Sequence, residues 1–244
     1  MSAYKSFAVV GGGRVGLPVA AGLATKNVSV IILSRSSNQI PPSGVQLVQV
    51  DTSDTAAVTA VLKEHKVDVA ISTVDVGGGE WDVVQKPVVD AAKAAALKLY
   101  IPGEFGIPTD EHTAGVLGGK NKFAQYVKSI GVPYLRIHAS AVDVLLVHVL
   151  TALPPSELEN RTLRIEGERA TLNEIARKLK TTLNHVESVE GQEFLTYMLK
   201  IFEYGGRSTG WDEVNKKEGS EGAASGNALW PGHHWKTIEE ALNL

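Results

Sequence analysis

The feature that most constrains the fold is a glycine-rich turn near the start of the chain. It follows an apolar run, Phe7–Val10, and leads into a helical stretch over residues 14–25. The turn fits the pattern G-x-G-x-x-G and consists of Gly11, Gly12, Gly13, Arg14, Val15 and Gly16. In such a turn Gly11 permits the tight bend, Gly13 lets the backbone approach a pyrophosphate, and Gly16 allows close helix–sheet packing. The sequence therefore predicts a dinucleotide-binding turn, with a strand-to-helix turn that binds no ligand as the alternative.

Apolar runs and helical stretches alternate up to about residue 140. The further predicted strands are residues 28–33, 46–50, 67–72, 98–101 and 134–137. The further predicted helices are residues 54–65, with Asp54 as N-cap, 82–96 and 119–130. Strands separated by helices indicate βαβ units and a parallel sheet. We therefore predict an α/β fold, a Rossmann-type doubly wound parallel sheet.

The pattern changes after residue 140 and predicts a small C-terminal α/β appendage. The elements predicted there are a helix over 143–153, a strand over 163–165, and helices over 171–180, 192–203 and 237–242. The helix at 171 begins with a capping box, Thr171 and Glu174. A Gly- and Ser-rich stretch over 205–227 is predicted to be a mobile loop. We expect a dinucleotide-binding domain over 1–142 and a smaller substrate or interaction portion, packed on it, over 143–244.

The end of the second strand bears on which dinucleotide binds. An acidic residue there would favour NAD through the ribose 2′-hydroxyl, but the residues present are Ser34, Arg35 and Ser36. A guanidinium can pair with a 2′-phosphate, so the sequence favours NADP. Arg14 is a second possible phosphate partner. The alternative is that Arg35 is an exposed arginine after a strand.

The carboxyl ends of the third and fourth strands line the same crevice in a doubly wound fold. This topology places Asp51 and Thr52 near an adenine, and Ser72, Thr73 and Val74 near the ribose and nicotinamide. Each of these short polar segments could equally be a loop cap.

Composition excludes several classes of protein. Among 244 residues the formal net charge is −3, which argues against nucleic acid as a direct partner. The sequence contains no cysteine, which excludes disulfides, Cys-ligated zinc and a Cys nucleophile. The first residues lack the features of a signal peptide, and no uninterrupted apolar run is long enough to span a membrane. These features predict a cytoplasmic protein. The histidines and carboxylates suggest no metal site.

Three short segments resemble those of a known family. They are Ile101–Gly106, Lys120–Phe123 and Gly131–Tyr134. They are similar to the Pro-Ser-Glu-Phe-Gly signature, the Lys-x-Lys helix segment and the Gly-Ile-Pro-Tyr strand start of the NmrA-like and isoflavone reductase-like family. That family includes phenylcoumaran benzylic ether reductases. The Tyr-x-x-x-Lys pair of common short-chain dehydrogenases is absent.

The resemblance implies an activity and a role for one lysine. Lys120 falls at the family's catalytic lysine, and Arg35 falls at its NADP-selecting arginine. The implied reaction is hydride transfer from NADPH to a small aromatic or quinone-like substrate, with Lys120 as general acid/base. The alternative for Lys120 is a solvated lysine on a helix surface.

The sequence departs from the family pattern in four places. The glycine turn is one residue tighter, Gly103 replaces the signature serine, no lysine follows Arg35 within ten residues, and the stretch 139–161 is short. The family also includes regulators that bind dinucleotide without redox chemistry and contact a protein partner. A non-catalytic NADP(H)-binding regulator is therefore the second hypothesis.

Overall fold

The computed structural model describes residues 3–74, 81–139, 143–184, 186–219 and 222–244. The chain forms two compact units. The first comprises Met1–Phe105, His112–Ile137 and Ala141–Leu163. The second comprises Gly106–Glu111, His138–Ser140 and Arg164–Leu244. Within the described ranges, none of the helices combines the length and the apolar character needed to cross a membrane.

The first unit is built on a five-stranded parallel sheet. Its strands are β1 (Ser6–Val10), β2 (Ser29–Ser34), β3 (Gln46–Gln49), β4 (Val69–Ser72) and β5 (Leu99–Ile101). Their order is β3-β2-β1-β4-β5, and each neighbouring pair is parallel. Every residue from Phe7 to Val10 is fully buried, as expected for a central strand that is covered on both faces. The predicted α/β, Rossmann-type fold is confirmed.

In the part of the chain that the structure describes, six α-helices accompany this sheet. They are α1 (Gly16–Ala24), α2 (Thr55–Glu64), α3 (Trp81–Val84), α4 (Lys86–Ala94), α5 (Gly115–Ser129) and α6 (Asp143–Ala152). Helix α1 packs on α6, and α2 packs on α4. The predicted cap of α2 is confirmed, because Asp54 Oδ1 accepts hydrogen bonds from the N–H groups of Ala56 and Ala57 at 2.9 and 3.0 Å.

Two predicted helices have different bounds in the structure. The helix predicted over 82–96 is divided at Gln85 into α3 and α4. Pro87 explains the division, since it lacks the N–H group that would bond to the carbonyl four residues earlier. Helix α5 begins at Gly115, four residues before the predicted start at 119. Glycines at 115, 118 and 119 have a low helix propensity and concealed this first turn.

The sixth predicted strand lies outside the five-stranded sheet. Strand β6 (Leu135–His138) pairs with β7 (Arg161–Arg164) in a separate two-stranded sheet. A single parallel bridge between Tyr100 and Tyr134 connects this segment to β5. Pro133 has no N–H group to donate to a ladder, and its carbonyl accepts one hydrogen bond from the Tyr100 N–H at 2.8 Å.

The second unit contains α7 (Leu172–Lys178), α8 (Glu193–Glu203) and α9 (Ile238–Leu242). The predicted capping box of Thr171 and Glu174 is present. The stretch predicted as a loop contains an antiparallel pair, β8 (Trp211–Asp212) and β9 (Lys217–Glu218), and a 3₁₀ turn over Ser225–Leu229. Strands of two residues are too short to show the alternation on which sequence prediction depends.

Candidate active site

The candidate site lies where the order of the strands reverses. The chain runs outward from β1 to β2 and β3 on one side, and continues through β4 and β5 on the other. In open α/β sheets, ligands bind at such a point, outside the carboxyl ends of the strands. The first unit has a cavity of about 1090 Å³ there. The predicted site residues that line it are Gly11, Gly12, Gly13, Arg14, Val15, Ser34, Arg35, Ser36, Thr73 and Val74.

Close backbone contacts fix the glycine turn. Gly11 adopts a φ of +96°, and its N–H group donates to the Leu33 carbonyl at 2.9 Å. The Thr73 hydroxyl donates to the Gly11 carbonyl at 2.8 Å. A Cβ atom on Gly16 would lie 2.0 Å from the Gly11 carbonyl oxygen. Gly16 is therefore required for α1 to start this close to the end of β1.

The outer side of the turn is open and suited to an anion. A Cβ atom on Gly13 would meet no atom within 4 Å. Val15, the N-cap of α1, provides no side-chain hydrogen bond among the described residues, and the first turn of α1 has no acidic side chain. The first N–H groups of a helix attract negative charge. The turn therefore fits a pyrophosphate, with the exposed Arg14 beside it.

The segment after β2 brings Arg35 to the same cavity. The Gln49 amide donates to the Arg35 backbone carbonyl at 3.2 Å, and the Ser34 hydroxyl accepts from the Ser36 N–H at 3.1 Å. The Arg35 side chain is exposed, and its lining position leaves the guanidinium accessible to a phosphate. Hydrogen bonds from Ser53, assisted by the positive charge of Arg35, lower the pKa of Asp51.

Besides Lys120, three predicted site residues do not line the cavity. Asp51 is exposed, and its Oδ1 atom accepts from both the N–H and the hydroxyl of Ser53 at 2.9 and 2.7 Å. Thr52, which was predicted beside it, does line the cavity. Ser72 is fully buried and faces Tyr100, whose pKa is raised by burial and lowered in part by the Ser72 hydroxyl. Gly16 lies behind the turn. The cofactor contacts of these residues stay predictions.

Gln39 lines the cavity and was missed by the sequence reasoning. Its Nε2 atom donates to the Gly12 carbonyl at 2.8 Å. Its Oε1 atom is buried and has no hydrogen-bond partner among the described residues. A Cβ atom on Gly12 would lie 2.1 Å from this oxygen. A buried acceptor without a donor is unfavourable, so the oxygen suits a hydroxyl or amino group of a ligand. No sequence signal marks Gln39.

Lys120 lies behind one wall of the cavity, on α5. Its amine donates to the backbone carbonyl of Phe105 at 3.2 Å, and Phe105 lines the cavity together with Gly103. The amine also lies 5.5 Å from the centroid of the Trp81 ring. The structure thus places Lys120 next to a wall residue rather than among the lining residues themselves.

The helix that carries Lys120 is anchored at several points. The Asn121 amide donates to the His112 carbonyl at 3.0 Å. One turn further along, the Tyr126 hydroxyl donates to Asp90 on α4 at 2.5 Å, and Asp90 also pairs with Lys86 at 2.5 Å. These contacts fix α5 against α4 and so fix the position of the lysine.

The described residues include no group of three or more His, Asp or Glu side chains that could hold a metal ion. The site's chemistry is that of an anion-binding turn, an accessible guanidinium and a nearby amine. Such a set of groups can hold a phosphorylated dinucleotide and exchange a proton beside it.

A family model, described as the NmrA-like family, matches residues 4–174 of the chain. A curated protein named Oxidoreductase BOA1, from Botryotinia fuckeliana (strain B05.10), is 28% identical over 156 residues. That match covers 62% of this chain and 52% of the relative, so the chain spans about half the length of the curated relative.

Solved reductase structures share the fold over nearly the whole chain. The binary complex of leucoanthocyanidin reductase with NADPH from Vitis vinifera has 19% identity, a TM-score of 0.72 and 97% coverage of both chains. A structure of AtPrR2 with NADP⁺ and (+)pinoresinol has 16% identity, a TM-score of 0.71 and 99% coverage of both chains. At these identities the likeness shows the fold.

Proposed function

Since the chain belongs to the NmrA-like family, we propose that it is an NADPH-dependent oxidoreductase of the isoflavone reductase-like type. The proposed reaction is hydride transfer to a small aromatic or quinone-like substrate. The observation that carries this proposal is the position of the Lys120 amine. It is bonded to Phe105, a wall residue of the same cavity that Gly13 and Arg35 line.

Residues of the glycine turn and of the segment after β2 would hold the cofactor. The open side of Gly13 and the uncapped start of α1 would take the pyrophosphate. Arg35, with the hydroxyls of Ser34 and Ser36, would take the 2′-phosphate. When bound, NADPH supplies a hydride. All the lining residues come from the first 105 residues, so the proposed cofactor site lies within the predicted cofactor domain over 1–142. The substrate or interaction portion over 143–244 stays a prediction.

Lys120 would supply or accept the proton that accompanies hydride transfer. Its amine donates to the carbonyl of Phe105, which is a residue of the cavity wall. A positioned acid or base contributes substantially to such reactions because it exchanges the proton as charge develops on the substrate. Related solved reductases include one with bound (+)pinoresinol, which supports an aromatic substrate for this chain.

The test is calorimetric titration of the protein with NADPH and with NADH, followed by NADPH oxidation assays with quinones and phenylpropanoids. Tight NADPH binding, weaker NADH binding and turnover of at least one compound are the expected results. If neither nucleotide binds, the proposal fails at its first step. If NADPH and NADH bind with equal affinity, only the role given to Arg35 is contradicted.

The second candidate is a regulator that binds NADP(H) without redox chemistry and acts through a protein partner. The observation that favours it concerns Gly103, which lines the cavity. At this position the Pro-Ser-Glu-Phe-Gly signature has a serine, whose hydroxyl is missing here. Tight NADPH binding without turnover of any compound in the panel would support this candidate over the enzyme.

A further inference from the structure

The short helix α3 contributes an aromatic ring to the surroundings of Lys120. Trp81, its first residue, is only 5% exposed, and the Lys120 amine lies 5.5 Å from its ring centroid. The same amine donates to the Phe105 carbonyl at 3.2 Å. The negative face of an indole and a carbonyl oxygen both attract a cation. The two contacts therefore favour the ammonium form of Lys120 over the neutral amine.

The position of Trp81 is fixed from two sides. Its ring packs against that of Phe123, one turn beyond Lys120 on α5, with the centroids 6.1 Å apart. Its backbone carbonyl accepts from the Gln85 N–H at 3.0 Å. The ring thus has a defined place relative to the helix that carries the lysine.

Gln85 connects this helix to the cavity wall. Its side chain is fully buried, and its Oε1 atom accepts from the Gly103 N–H at 3.2 Å. Gly103 and Phe105 belong to the same loop after β5, and Phe105 provides the carbonyl that binds Lys120. Helix α3 and its following residue therefore set two cation-stabilising partners of the lysine, the Trp81 ring and the Phe105 carbonyl.

We propose that Trp81 is a positioning residue that holds Lys120 as an ammonium ion beside the cavity, which makes this lysine a proton donor in the direction of substrate reduction. The inference rests on the proposed function. In that step a substrate C=O double bond would become a C–O single bond, and the hydride that NADPH would supply brings the electron pair of the new C–H bond. The oxygen would take its proton from an N–H bond of Lys120, and solvent would return a proton to the neutral amine.

Trp81 also belongs to a hydrophobic core cluster of the first unit, which includes Phe123 and Val88. A purely structural role would make any substitution loosen α5 as a whole. Such loosening would change the reactivity of the exposed Lys122, two residues along the same helix, together with that of Lys120. The test must therefore measure the reactivity of each lysine separately, and it must keep the size of the Trp81 ring.

The decisive measurement is the acylation rate of individual lysines by an N-hydroxysuccinimide ester of acetic acid, followed by mass spectrometry at one fixed pH. Acylation requires the neutral amine, so a held ammonium reacts slowly. Replacing Trp by tetrafluorotryptophan keeps the ring size and weakens its attraction for cations. The expected result is a rise of about three- to tenfold in the rate at Lys120, with the rate at Lys122 unchanged.

The chain has four tryptophans, and the other three lie at positions 211, 230 and 235. Two substitutions at Trp81, compared with each other, assign the effect to this position without fluorinated residues. Trp81→Phe should leave the rate at Lys120 within about twofold of the parent, because phenylalanine also offers a negative ring face. Trp81→Leu should give a rise at least as large as the fluorinated protein, with circular dichroism showing a retained fold.

Unchanged acylation of Lys120 in the fluorinated protein would overturn the inference, as would equal rises at Lys120 and Lys122. Failure of the proposed function is seen separately. If NADPH does not bind in the calorimetric titration, the enzyme proposal fails while the labelling result stands. If NADPH is oxidised but the labelling does not change, only the role of Trp81 fails.

Discussion

Nε of Arg136 lies 2.6 Å from Oε2 of Glu104, and the two side chains are 2% and 0% exposed. This buried ion pair joins β6 to the loop after β5, which contributes Gly103 and Phe105 to the cavity wall. Glu104 is also the acidic residue of the segment that carries the family resemblance. The structure thus gives that glutamate a role in holding the wall in place.

Removing one partner of this pair should be costly. Arg136→Met would leave the Glu104 carboxylate buried without its cation, and we expect a loss of about 3–5 kcal/mol in the free energy of unfolding. Urea denaturation measures this loss. Arg161→Met is the control, because Arg161 and Glu157 form an exposed pair at 3.6 Å that should contribute about 1 kcal/mol or less. Similar losses in both variants would contradict the importance given to burial.

Two alanine variants in the glycine turn should separate folding from binding. In Gly13→Ala the new methyl group meets no protein atom within 4 Å, so the free energy of unfolding should change by less than about 1 kcal/mol. The methyl group would occupy the space of the pyrophosphate, and NADPH affinity should fall about tenfold or more. Calorimetric titration and urea denaturation of the same preparation measure the two effects.

Gly16→Ala should behave differently, because its Cβ would lie 2.0 Å from the Gly11 carbonyl oxygen. The backbone must shift, so stability and NADPH affinity should both fall. A Gly16→Ala protein with the stability of the parent would show that the close contact between α1 and β1 is not required.

Arg35 should determine the preference for NADPH. Arg35→Met retains much of the apolar stem but removes the charge, and NADPH affinity should fall about 10- to 100-fold because a charge-assisted bond to phosphate is lost. Binding of NADH should change by less than about twofold. Arg14→Met is the matched control, since a pyrophosphate contact is common to both nucleotides and its loss should weaken both.

Lys120→Ala should abolish turnover and leave NADPH affinity nearly unchanged, since the amine lies beside the cavity wall and not among the lining residues. Steady-state kinetics with a substrate found in the panel and calorimetric titration measure the two effects. Lys122→Ala should retain activity. An unchanged kcat in the Lys120 variant would remove the lysine from the mechanism.

The second unit should have an acid-sensitive contact at Glu166. Burial acts to raise the pKa of this carboxyl, but hydrogen bonds from Arg169 and from the N–H and hydroxyl of Thr209 outweigh burial and lower it. A lowered pKa in the folded state stabilises the protein above the ordinary pKa of 4.5, and this contribution is lost as the pH falls below that value.

Glu166→Gln should therefore be less stable than the parent at pH 7, by about 1–3 kcal/mol, and the difference should shrink towards pH 3. Urea denaturation at both values measures it. If the two proteins differ in stability by the same amount at pH 7 and at pH 3, the charge of Glu166 contributes little to stability.

The sheet and the glycine turn were predictable because each depends on a local pattern. Buried parallel strands such as Phe7–Val10 are continuous apolar runs, and the turn after them needs glycine at defined spacings. The same holds for Asp54, whose carboxylate caps the helix that immediately follows it. These features require only neighbours in sequence, and the sequence shows those neighbours directly.

The parts that were missed depend on residues far apart in the chain. Gln39 reaches Gly12 across 27 positions, and Arg136 reaches Glu104 across 32. No spacing rule relates such pairs, because their proximity comes from the order of strands in the sheet. Asp51 shows the opposite case, since strand topology predicts it at the crevice. In the structure its carboxylate accepts from Ser53, two residues along the chain, and does not line the cavity.

The contact between Gln39 and Gly12 has a consequence for variation among related sequences. The second position of G-x-G-x-x-G is formally open to any residue, but here the Gln39 amide covers the place where a Cβ would be. A side chain at position 12 therefore requires the Gln39 amide to move away and give up its bond to the Gly12 carbonyl, or a shorter residue at position 39. Homologues with glutamine at position 39 should have glycine at position 12 more often than homologues with a shorter residue there.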